Sequence, residues 1–424
     1  MTMLGDIFAP FALQARLLWR FWPHLLLIGA IGLMARDLLL VLAVTIGMRF
    51  PLGGMVALSL VVLVKLLVVV AMFGVLRPGL PALAALRAPP AAAPDRRRWR
   101  QAGDRMLAVA AVSILPFFAY YAAWGFLGDT VREYSRLALD RVAFGERLRI
   151  FEFLQSGGLI AAIAACWAVR WVAKRMNNRQ PASWWSLLVV AADASWIFIG
   201  LYALSVWKDA FIAWLGAGAL LEEVQAALPA ALSIAANAAE AFVPKEFRPP
   251  PALEQAQNVF FYLLLPLVWL VMAAIINGYE LSARSPTPAP AAPGSPWTKW
   301  LRDFSAYFIG GYRRRYSPVW TCLRLTLATG LGTLLAFVVA YRAIGWSGAW
   351  IWYSMTRWLG PYELDTWQVV FGVVAVLIGS PSELNGGIAL DALRITLLAA
   401  VLEYAVGAGR RDADASSPQA EAVR

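Results

Sequence analysis

Histidine occurs once in this chain, at His24, and cysteine twice, at Cys166 and Cys322. A single histidine excludes histidine-rich metal sites and most Ser-His or Cys-His catalysis. Two isolated cysteines give neither a disulfide framework nor a metal-ligand pattern. The phosphate loop GxxxxGK[ST] and the nucleophile elbow G-x-S-x-G are missing, and with them the chemistry those loops support. No cofactor or metal is expected, and nothing points to an enzyme. Charge is scarce as well: Asp, Glu, Lys and Arg make up 15% of the residues, against roughly 25% in soluble proteins.

What fills the chain instead is oil. Hydrophobic residues make up 60% of it, the mean hydropathy is +0.62, and several apolar runs approach the ~20 residues that a membrane helix needs. The net charge of +11 is carried by 32 Arg and 5 Lys. These cluster beside apolar runs, the pattern of cytoplasmic loops in membrane proteins, so the basicity reads as topology and no nucleic-acid partner is expected. The fold class is therefore all-α: a polytopic helical membrane protein whose surroundings are the lipid bilayer.

Eight spans are predicted, at 24–47, 53–76, 106–127, 154–173, 184–206, 258–278, 319–341 and 388–408. The first six belong to an N-terminal membrane region, 1–281. Residues 3–22 read as an amphipathic surface helix interrupted near Pro10, and the N-terminus lacks a short apolar core followed by a cleavage site, so the first span is expected to be retained. Residues 77–105 carry seven arginines and read as an irregular cytoplasmic loop. Residues 129–152, with five basic and five acidic residues, read as an outer helix on or near the membrane. "SARSPTPAPAAPGSP", 282–296, is a Pro-rich cytoplasmic linker. The C-terminal region, 297–409, opens with an interfacial helix and holds the last two spans; its run 366–379 is too short to cross comfortably and reads as re-entrant or interfacial. Residues 410–424 form a cytoplasmic tail.

Under this topology the inner segments carry 21 Lys or Arg against 8 acids, and the outer segments 11 against 14. That bias places both termini in the cytoplasm, with the protein integral to a bacterial inner membrane. The tryptophans between 346 and 367 read as an outer aromatic belt. Ala328, Gly332, Ala336 and Ala340 form a small-residue stripe suited to close helix packing.

Charges inside the apolar runs are the candidate site. Arg36 and Asp37 in span one, and Lys65 in span two, lie about 14 to 15 residues from the connection near residue 50, so they share a depth of ~20 Å from it. Asp37 and Lys65 can pair there, and Asp193 in span five sits at mid-depth as a further acid. An isolated charge at mid-membrane costs about 2.5–3.5 kcal/mol, so the cluster Arg36, Asp37, Lys65 and Asp193 is either a structural ion group or part of a pathway. A second set lies in the last two spans. Arg324 and Glu403 share a depth near the inner ends, Arg342 marks the outer end of span seven, and Asp391 and Arg394 lie three residues apart at the outer start of span eight. Two functions fit: a transporter-like protein for an ion or a small or lipidic substrate, or a non-catalytic membrane subunit or assembly factor that binds a partner protein.

Overall fold

A computed structural model describes residues 3–86, 103, 106–111, 113–118, 126–141, 158–179, 183–217, 252–278, 331–360, 363–379 and 387–415. The linker 282–296, the interfacial helix after it, residues 319–330 of predicted span seven, and the end of the tail lie outside them. The described residues are all-helical, without strands. Among the described residues, four helical stretches are long and apolar enough to cross a membrane: Phe8–Gly47, Pro51–Gly79, Trp184–Leu201 and Gly332–Leu359. That is fewer than the predicted eight: part of predicted span three lies outside the described residues, and charges interrupt the runs of spans four and eight. The helix over predicted span four carries Arg170, Lys174 and Arg175, and that over span eight carries Asp391, Arg394 and Glu403. The helix over span six holds a continuous apolar run, 259–276, with Pro266 inside it.

Helix α1 (Met3–Gly47) is continuous through Pro10 and Pro23, so the predicted break near Pro10 does not occur. A proline inside a helix removes one backbone hydrogen bond and can bend the helix without ending it. A tight turn at 48–50 leads into α2 (Pro51–Leu76), with Pro51 in its first turn, where the missing N–H is no loss. The two helices form an antiparallel pair. They meet closely at Gly32, where an added Cβ would lie 2.3 Å from Val68 Cγ2. The opposite face of α1 exposes Leu27, Ile31, Met34, Leu38 and Leu42 at three- and four-residue steps. Such an apolar stripe is unsuited to water and suited to lipid tails.

The predicted irregular loop after α2 begins with a short helix, α3 (Pro81–Leu86). Helical residues 106–111 and 113–118 follow, with Phe117 and Phe118 buried, and these two meet Trp269 and Phe198 edge-on at 6.3 Å. Helix α4 (Phe126–Leu139) comes next; it buries Thr130, Tyr134 and Ala138 at every fourth position, so it packs on α1 and α2 rather than merely lying on a surface. Helices α5 (Gly158–Arg179) and α6 (Ser183–Ala217) form a hairpin, joined to α2 by the 2.9 Å contact of Ser59 and Ser195 hydroxyls. Helix α7 (Ala252–Gly278) completes the part before the linker.

After the linker, α8 runs Leu331–Leu359. Predicted span seven ended at 341, but the helix continues through the tryptophan-rich stretch, because no strong breaker occurs before Gly360 (φ +70°) and Pro361. Its buried face is Thr333, Phe337, Val338 and Tyr341; of the predicted small-residue stripe, Ala340 packs against the core, Ala336 is half-buried, Gly332 is exposed and Ala328 lies outside the described residues. Helix α9 (Leu364–Ile378) is about 22 Å long and exposes Val369, Phe371, Val373 and Leu377. Its last carbonyl region is held by α8, where Trp352 Nε1 donates to Gly379 O at 2.7 Å. Helix α10 (Ile388–Ala415) lies along α1 and shares its buried core, so helices from both sides of the linker belong to one bundle. The end of α9 and the start of α10 touch: an added Cβ at Gly387 would fall 2.2 Å from Gly379 N.

Candidate functional site

The extension of α8 changes the depth of its charges. Arg342 is not at the end of a helix but well inside one, level with the first turns of α10: Arg394 lies under the Tyr341 ring at 5.8 Å, and Gly348 meets Leu390. The two sets of charges that the sequence separates therefore come together. Arg36, Asp37, Lys65, Arg342, Asp391 and Arg394 all line one cavity of about 750 Å³.

Each wall of the cavity has a local reason. Gly29, Gly32, Leu33, Arg36 and Asp37 fall on one face of α1 by helical spacing. Lys65, Val68, Val69 and Met72 do the same on α2. Helix α4 contributes Glu133 and Arg136, two charges that sequence reasoning missed. The sequence pattern places them on a surface helix and carries no signal for this role; packing on α1 and α2 through Thr130, Tyr134 and Ala138 sets the helix, and Glu133 pairs with Arg36 of α1. Tyr262, Leu265 and Trp269 come from α7, and Phe371, Ala375 and Val376 from α9.

The ionic contacts are specific. Arg36 pairs with Glu133 through one guanidinium nitrogen and with Asp37 through the other, at 3.5 Å. Lys65 lies within electrostatic reach of both Asp37 and Asp391. Asp391 accepts from Arg394 at 3.3 Å, one turn along α10. Arg342 donates to the backbone carbonyl of Tyr262, and its guanidinium lies 3.4 Å from the centre of the Tyr262 ring, close enough for a cation–π attraction. The Nε atoms of Arg36 and Arg394 are buried without a hydrogen-bond partner. In all, five cationic and three acidic side chains line the cavity among the described residues.

Two predicted members are elsewhere. Asp193 does not join Lys65: it accepts from Arg170 of α5 and, at 3.0 Å, from Trp196 Nε1, and so ties the α5–α6 hairpin together. A nearer cation on the neighbouring helix satisfies it before α2 can. Glu403 is also outside the cavity. It is 5% exposed and accepts from the backbone N–H groups of Ala82 and Leu83, the second at 3.0 Å, which caps the start of α3. Its predicted neighbour Arg324 lies outside the described residues. No group of three or more His, Cys, Asp or Glu side chains fit to hold a metal occurs among the described residues. No protein family, curated protein or solved structure matches this chain.

Proposed function

We propose that this chain is an integral membrane transporter-like protein whose central cavity takes up an ion or a small or lipidic substrate and passes it across the bilayer. One observation carries the reading: eight charged side chains from α1, α2, α4, α8 and α10 converge on a single cavity, and three of these helices, α1, α2 and α8, are long and apolar enough to cross a membrane. Charges inside a membrane are expensive, and their usual sites are pathways and binding centres between helices.

The topology that goes with it has eight crossings and both termini in the cytoplasm. In this reading α10 makes the last crossing and α9 is re-entrant or interfacial, its end meeting the start of α10 where Gly379 approaches Gly387. Such a break between helices is tolerated where the interrupted backbone lines a cavity, and Gly379, Gly387 and Ile388 do line it.

Proteoliposomes holding an internal pH dye and a headgroup-labelled lipid test the proposal by reading ion and lipid movement together. The expected result is movement faster than in protein-free vesicles and lost in Asp37→Asn, with the variant still folded by circular dichroism. Full movement in Asp37→Asn removes that residue from the pathway. Wild-type protein no faster than empty vesicles overturns the transport reading.

A further inference from the structure

We infer that the cavity's substrate is an amphiphile with an anionic, phosphate-bearing head, drawn sideways from the lipid; the inference rests on the transport reading above. Charge gives the head. The lining carries two more cations than acids among the described residues, and these cations come from different helices, so a bound group would be met from several sides. Arginine forks match phosphate oxygens closely. The buried Nε atoms of Arg36 and Arg394 have donors to offer. The first turn of α10 opens on the same space and adds the positive end of its dipole, while Trp352 caps the opposing carbonyl at the end of α9.

The rest of the lining gives the tail. Most of it is apolar, and its edge between α8 and α9 is open to the outside: Trp346 is 62% exposed, Phe371 43% and Val376 40%, although all three line the cavity. A free inorganic anion has no use for such a wall. A lipid can slide its head past Trp346 and Phe371 to Arg342 and leave its chains against the exposed faces of α8 and α9. Arg342, one helical turn from Trp346 along α8 and over the Tyr262 ring, is the first cation the head meets.

Native mass spectrometry of the full chain in detergent, offered equal phosphatidylglycerol and phosphatidylcholine of the same acyl length, reads the preference directly. The expected result is retention of phosphatidylglycerol over phosphatidylcholine by about tenfold, the size expected of a charge-assisted contact. Arg342→Gln should erase most of it. Arg357→Gln, on the exposed part of the same helix where it meets the Tyr353 hydroxyl, should leave it unchanged. Equal retention of the two lipids by wild-type protein overturns the anionic head, whatever the variants do. Equal loss in Arg342→Gln and Arg357→Gln overturns the cavity as its location. Displacement of the lipid by inorganic phosphate at matched concentration assigns the site to a free anion and overturns the lipid source.

A second readout separates this failure from that of the transport reading. Ala375→Cys places a thiol on the cavity wall, and its maleimide labelling is followed with phosphatidylglycerol, phosphatidylcholine or dodecyltrimethylammonium present. Protection by phosphatidylglycerol above the other two supports the inference. Protection by another amphiphile alone overturns the anionic head and leaves the transport reading standing. Protection by none overturns the inference and leaves the transport reading, which also covers an ion or a small solute, to the proteoliposome assay.

Discussion

Arg36 of α1 and Glu133 of α4 form an ion pair that spans 97 residues of sequence and closes one wall of the cavity. Only 12% of the Arg36 side chain and 28% of the Glu133 side chain are exposed. Removing one partner of such a pair leaves the other charge unmatched, whereas replacing both with apolar residues is often nearly neutral. Glu133→Gln should destabilise the protein by on the order of 2 kcal/mol, and the double variant Arg36→Met/Glu133→Leu should recover most of that. Unfolding midpoints in mild detergent check it. A double variant no better than the single one would show that the pair is not coupled.

Glu403 predicts a purely structural phenotype. Glu403→Ala frees two backbone N–H groups at the start of α3, which should cost about 1–3 kcal/mol. Movement per folded molecule in proteoliposomes should be unchanged, because Glu403 does not line the cavity. Lost activity at full stability would contradict this assignment.

Asp193 should behave in the same way for a different reason. Asp193→Asn keeps an acceptor for Trp196 and weakens the contact to Arg170, so a loss of about 1 kcal/mol is expected, with transport intact. Asp37→Asn, one helix pair away, should show the reverse. Side-by-side melting and flux measurements on the two variants separate the acid of the hairpin from the acid of the cavity.

The break between α9 and α10 depends on a glycine. Gly387→Ala puts a Cβ into the backbone of residues 377–379, which cannot yield as a side chain can, and should cost about 1–3 kcal/mol or more. Gly372→Ala, in the middle of α9 with open space around it, should instead gain up to about 1 kcal/mol from helix propensity. Opposite shifts in melting temperature are expected; shifts of the same sign would place the close contact elsewhere.

The apolar rods were legible in the chain. Their residues sit in runs near the length a bilayer demands, and hydropathy is a local property, so α1, α2 and most of α6 follow from composition alone. The turn at 48–50 was legible because Arg49 interrupts the apolar run and Pro51 suits the first turn of a helix. The shared depth of Asp37 and Lys65 followed from counting residues away from that turn. Less legible was the end of α8. Tryptophan favours both an interface and an apolar helix, and nothing local chooses between them; the choice moved Arg342 from a helix end to the cavity wall. The role of Glu133 was illegible for a related reason. Its helix alternates charges like any surface helix, and only packing on α1 reveals which face turns inward.

By itself, then, the sequence determined that this protein is helical and suited to lipid, that it carries more cations than acids, and that some of those charges lie deep within apolar helices. Only the tertiary structure decided which charges meet. Burial energy adds up residue by residue along the chain, so it can be read in one dimension. An ion pair depends on distance in three, and helices far apart in sequence decided that Arg36 faces Glu133, that Arg394 shares a chamber with Lys65, and that Asp193 and Glu403 are satisfied elsewhere.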